Sequence, residues 1–109
     1  MTVIVVETWN LRPEKLEEFD SFLERWKKLV NERPDLFEEL KSWNSYRAKF
    51  GSTHSGMNLW EYENMEDREK HRKKFGTEPE LIELVSKLGN YFPLDSHKEN
   101  SWSHVKKLK

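Results

Sequence analysis

The sequence predicts a single α+β domain whose elements follow the order β-α-β-β-α-β, a four-stranded antiparallel sheet with helices on one face. Three observations predict it. The chain has 109 residues, enough for one modest core and too few for a second domain. Runs of β-branched and aromatic residues alternate with runs of helical period in that order. Both halves also repeat one scheme at a spacing of about 53 residues. In each, an apolar strand ends in an aromatic residue (Trp9, Tyr62), a polar corner follows, and an acidic helix start comes next (Glu14, Glu66).

Residues 2–9 (TVIVVETW) are β-branched on both parities, the mark of a strand covered on both faces and therefore central. Leu11, Arg12 and Pro13 form a turn, with Pro13 suited to a first helical position. Leu16, Phe19, Leu23, Trp26 and Val30 then recur every three or four residues, giving an amphipathic helix of about five turns. It ends near residues 31–34, because the residue before Pro34 avoids the α region. Residues 35–40 are ambiguous. Residues 41–50 look extended, 51–56 (GSTHSG) are a turn cluster, and 57–63 complete a hairpin. Asn64 caps the next helix with Asp67 at N3, and Gly76 stops it after Phe75. Pro79 opens another helix lined by Leu81, Leu84, Val85 and Leu88 up to Gly89. Residues 100–108 (NSWSHVKKL) read as a last strand whose lysines suit an edge.

Composition excludes several function classes. Lys and Arg number 19 against 20 Asp and Glu, so no strong field attracts nucleic acid or an anionic membrane. There is no cysteine, which removes disulfides, thiolate metal sites and cysteine nucleophiles. The longest apolar run is only residues 3–6, so neither a membrane span nor a secretory signal is expected and the protein reads as cytoplasmic. Glycine-rich phosphate loops and nucleophile elbows are also missing. Sixteen Glu and thirteen Lys without any Gln is a balance found in heat-selected proteins, against which stand seven Asn.

Sorted by parity, both sheet faces carry large apolar groups. One set holds Ile4, Val6, Trp60, Tyr62, Tyr46 and Phe50, and the other Val3, Val5, Trp9, Trp43, Leu59 and Trp102. Helices cover one face only. A second copy packed sheet to sheet would bury the other, so a homodimer is expected. On this reading Trp26 belongs to the core, while Trp9, Trp43 and Trp102 belong to the sheet interface.

This element order, the opening ETWNLRPEKLEEF and the stretch LWEYENMEDREKH resemble the dimeric α+β barrel superfamily, nearest to the antibiotic biosynthesis monooxygenase-like families. Two ferredoxin-like sheets join in such proteins into a closed barrel. The resemblance implies a monooxygenase-like activity, a histidine in the helix after an aromatic strand and, in haem-degrading members, a strand asparagine with a strand tryptophan. The matching positions here are Asn10, Trp60 and His71. Asn10 lies at its strand's end with Arg12 and Pro13 close behind, so haem ligation is not expected and no cofactor is assigned.

The helix after Asn64 has no apolar residue between Met65 and Phe75. On a 3.6-residue period Met65, Arg68, His71, Arg72 and Phe75 share the inward side, a basic, histidine-bearing surface. It can roof a pocket walled by Trp60 and Tyr62, with His71 as acid, base or hydrogen-bond donor, or it can be a solvated face on which His71 packs against Phe75. Glu7 and Glu61, with Arg47, are expected as a buried ionic cluster that fixes the dimer register or, with His104, serves as base or metal ligands. His54 and His97 fall in a turn and a loop and are expected to be exposed. The function read from the sequence is a cofactor-independent monooxygenase-like enzyme acting on a small aromatic or apolar molecule, with His71 catalytic and Trp60, Tyr62, Asn10 and Arg68 binding. The alternative is a non-catalytic ligand-binding or structural assembly module.

Overall fold

The computed structural model describes residues 2–49 and 54–109. Strand β1 (Val3–Asn10) lies inside a four-stranded antiparallel sheet of order β2-β3-β1-β4, with β2 at Leu40–Arg47, β3 at Ser55–Tyr62 and β4 at Lys98–Ser103. This is the ferredoxin-like α+β arrangement that the element order predicts. Helix α1 (Leu16–Glu32) crosses between β1 and β2, and α2 (Met65–Thr77) with α3 (Pro79–Ser86) between β3 and β4. Phe50 and residues 51–53 of the expected hairpin turn lie outside the described residues. No helix among the described residues is long and apolar enough to cross a membrane.

Local chemistry sets the helix limits. Pro13 opens a 3₁₀ turn (Pro13–Lys15) that leads into α1, and α1 buries Phe19, Phe22 and Trp26. Phe22, which the expected stripe skips, is 1% exposed and central to it. The ambiguous stretch after α1 is a 3₁₀ turn (Pro34–Phe37) that delivers Leu36 and Phe37 to the core. The Asn64 side chain accepts the Asp67 amide at 2.8 Å, the expected cap. Helix α2 does not stop at Gly76; it runs to Thr77 and is capped by Glu78, whose φ −89° and ψ 119° are those favoured before a proline. The last strand starts earlier than expected and stops at Ser103, beyond which the lysine-rich end has no regular structure.

The register corrects the sorting of the sheet faces. Val3 pairs with Tyr62, Val5 with Trp60 and Glu7 with Asn58, so Trp60 and Tyr62 share the helix-covered side with Val3, Val5 and Trp9. Ile4 pairs with Glu61 and Trp102, and Val6 with Leu59, so Leu59 and Trp102 lie on the open side with Ile4 and Val6. Opposed residues of an antiparallel pair always share a face. Trp43 pairs with Trp60 on the covered side. Trp9 and Trp43 therefore pack in the core and not at a sheet interface, while Trp102, 61% exposed, stands on the open face with Tyr46 at 49%. A register shift lies between Leu40 and Ser42, ahead of Trp43 and Tyr46, which share faces with the β1 residues that parity groups them with.

One aromatic core fills the space between sheet and helices. Trp9 stacks on Phe92 at 5.6 Å, Phe22 on Tyr91 at 4.7 Å, and Trp26 meets Trp43 edge-on at 5.5 Å. Gly56 lies opposite Trp9, and a Cβ there would approach the indole nitrogen to 2.4 Å. The glycine makes room for the ring.

Candidate functional site

Helix α2 is held by little apolar contact and much polar contact. Lys74 donates to both carboxylate oxygens of Glu39, at 3.0 and 2.8 Å, and to the Asp35 carbonyl at 2.8 Å. Its inward side carries Arg68, His71 and Phe75 as expected, while Met65 is 46% exposed and Arg72, though at the cavity's rim, is exposed overall. His71 is fully buried.

Beneath this helix lies a cavity of about 290 Å³ between the sheet and the helices, at the small end of the range for ligand pockets. Trp60, Tyr62, Arg68 and His71 all line it. So do Trp9, Phe22, Trp26 and Phe75, which make its walls chiefly aromatic. Trp60 stacks on Trp43 at 4.2 Å with the planes 12° apart, a fixed flat wall. Phe75 meets the His71 ring edge-on at 4.9 Å.

The polar groups form two sets. In the first, His71 Nδ1 and the Tyr62 hydroxyl oxygen are 2.6 Å apart. Burial holds both neutral at physiological pH, pushing the His71 imidazolium down to about 4 and the Tyr62 phenol above its ordinary range. Either the phenol donates to Nδ1 or Nδ1–H donates to the phenol, and in both cases Nε2 lacks a partner. Of the roles expected for His71, acid, base or hydrogen-bond donor, an imidazole held neutral this firmly suits a hydrogen bond to a ligand best.

In the second set, Glu7 projects from β1 on the same side. Its Oε1 accepts from the Asn58 amide at 2.6 Å and the Trp60 indole at 2.7 Å, and its Oε2 lies 2.8 Å from His97 Nε2. His97 is not the exposed loop residue expected; its proton is held above the ordinary histidine range by the bond to Glu7. Neither Glu7 nor His97 entered the expected pocket. The only signal was a charge set among apolar neighbours on a central strand.

Other expected groupings dissolve. Glu61 is on the open face bonded to Ser42 at 3.0 Å, Arg47 binds Asp20 at 2.7 Å, and His104 is exposed beyond β4, so Glu7, Glu61 and Arg47 form no cluster. Among the described residues no three His, Asp or Glu side chains gather as a metal site. Asn10 lies away from the cavity at the exposed end of β1, where its side chain accepts from the Ser55 hydroxyl at 3.0 Å. Arg68 is within the cavity wall and pairs with Glu99 of β4.

Five lining residues leave buried polar atoms without partners: Trp9 Nε1, Trp43 Nε1, Asn58 Oδ1, Arg68 Nε and His71 Nε2. Native interiors rarely tolerate such atoms, and five around one apolar hollow suit a ligand that is mostly flat and apolar with a few hydrogen-bonding groups.

A family model described as NIPSNAP matches residues 4–102. Among solved structures, an uncharacterised NIPSNAP-like domain protein from Burkholderia xenovorans is 24% identical, with a TM-score of 0.72 over 95% of this chain and 85% of that one. A NIPSNAP family protein from Agrobacterium tumefaciens is 15% identical, with a TM-score of 0.74 over 96% and 94%. SnoaB, a cofactor-independent oxygenase from Streptomyces nogalater, is 11% identical, with a TM-score of 0.71 over 98% and 96%. At such identities the likeness is one of fold. No curated protein matches the chain.

Proposed function

Because the chain belongs to the NIPSNAP family, we propose that it uses the cavity beneath α2 to bind a small aromatic molecule and oxygenate it without a cofactor, in the manner of the fold's monooxygenases. The observation that carries the reading is the unpartnered Nε2 of a fully buried His71 in a cavity walled by Trp60 and its aromatic neighbours. SnoaB supplies the precedent that this fold hosts oxygenation with no cofactor.

Without a metal or flavin, dioxygen must take electrons from the substrate itself. An aromatic carbon acid can supply them after losing a proton: its carbanion passes an electron to dioxygen, the two radicals join as a peroxide, and loss of water leaves a carbonyl. Carbon, dioxygen and the two C–H hydrogens are then accounted for as C=O and water. Trp60 and Trp43 hold the ring flat, and His71 Nε2 with Tyr62 behind it hydrogen-bonds the oxygen on which negative charge develops.

Incubation with a panel of hydroxynaphthalenes and anthrone, followed by dioxygen uptake and product mass, tests this. Uptake with a product that has gained one oxygen and lost two hydrogens, reduced in His71→Ala, supports it. Tight binding with no uptake by any member favours the second reading, a non-catalytic binding module. A second copy on the open sheet face is part of the proposal, supported by Tyr46 and Trp102 standing exposed beside Ile4, Val6 and Leu59.

A further inference from the structure

We propose that Glu7 and His97 form the proton-accepting pair of this cavity, with His97 taking the proton from an acidic O–H or C–H of the ligand and Glu7 positioning the imidazole. The inference rests on the cavity being a ligand site, as proposed above. Its geometry is that of an oriented base. Glu7 Oε1 is fixed by two neutral donors, Asn58 and Trp60, which leaves Oε2 to receive Nε2–H of His97 at 2.8 Å. That bond puts the lone pair on Nδ1, which has no partner among the described residues.

Both residues line the cavity although 90 positions separate them. Glu7 is on the central strand and His97 stands one residue before β4, where its ring stacks on Phe92 at 6.2 Å. The charged groups facing His97 are Glu7 from β1 and Glu99 from β4, and Arg68 of α2 is engaged by Glu99. Two carboxylates beside one imidazole favour its cation. His71, by contrast, has burial as its dominant influence. The cavity thus separates two histidines into two roles: a neutral hydrogen-bond partner under the helix and a proton acceptor against the sheet.

In the proton transfer the ligand's O–H or C–H bond breaks, its electron pair stays on the ligand, and an N–H bond forms at His97 Nδ1. The ligand anion then lies against an imidazolium whose charge Glu7 offsets. His97 is about one-third exposed, so the accepted proton can pass on to water.

The test uses the whole protein and 4-nitrophenol, whose phenolate and phenol differ in absorbance and which quenches tryptophan emission when bound. Below the pH at which the free phenol is half ionised, the bound probe is expected to show an anion-to-neutral ratio about tenfold above that of the free probe. His97→Gln should return the ratio to the free value while quenching persists. Glu7→Gln should lower the ratio and also move the His97 titration, read by NMR, to lower pH. An unchanged ratio in both variants, or a bound probe that is neutral in the parent protein, overturns the pair. Absence of any saturable quenching overturns the cavity reading itself.

Discussion

The Nδ1 atom of His71 and the hydroxyl oxygen of Tyr62 lie 2.6 Å apart, tying helix α2 to the strand beneath it. The imidazole is buried with no charge on it, and burial lowers the His71 pKa from 6.5 to about 4. The unfolded chain therefore takes up a proton at a pH where the folded protein does not. Stability from this group is complete above about 6.5 and falls as pH drops towards 4, by roughly 3 kcal/mol at the limit. Denaturant midpoints measured from pH 7 to 4 should show this loss, and His71→Phe, though less stable at pH 7, should show a smaller slope. Equal slopes would place the acid sensitivity elsewhere.

Gly56→Ala should destabilise the protein by about 1–3 kcal/mol through overpacking. The added methyl would meet the Trp9 indole at 2.4 to 3.0 Å, and Trp9 is held between Phe19 and Phe92. Thermal unfolding measures it. Gly76→Ala is the control, since nothing lies within 4 Å of a Cβ there, and it should be neutral or mildly stabilising in the helix.

Lys74→Met should cost roughly 2–3 kcal/mol, less than for a fully buried pair because Lys74 keeps some exposure to water. It strands Glu39, whose side chain is 8% exposed, and releases the Asp35 carbonyl. Adding Glu39→Gln removes the stranded charge and should recover part of the loss, a coupling that a double-mutant cycle measures. Simple additivity would mean that the ion pair does not fasten α2.

Solution mass tests the second copy. Val6 and Leu59 face each other across β1 and β3 on the open side. The parent protein should be a dimer, and Leu59→Lys combined with Val6→Glu should give a folded monomer. A monomeric parent would contradict the proposed pairing.

The helices and the centre of the site were legible because their signals are local. The period of Phe19 and Trp26, the Asn64 cap and the placement of Arg68 and His71 on one side of α2 follow from spacing along a single element. The sheet faces were not. β1 is apolar on both parities, so nothing in it marks which side meets the helices, and no local signal ties the phases of β3 and β4 to it. Trp60 and Tyr62 consequently changed places with Leu59 and Trp102. The Glu7–His97 bond joins residues 90 apart, one of them in a loop, and no local pattern announces it.

The central claim is that the cavity between Trp60 and His71 receives a small aromatic molecule, and tryptophan emission titrated with 4-nitrophenol tests it most directly. Trp9, Trp26, Trp43 and Trp60 all line that cavity. The account predicts saturable quenching at one site per chain, weakened at least about tenfold by Trp60→Leu through loss of the stacking wall. Linear, non-saturating quenching that is the same in both proteins would contradict it.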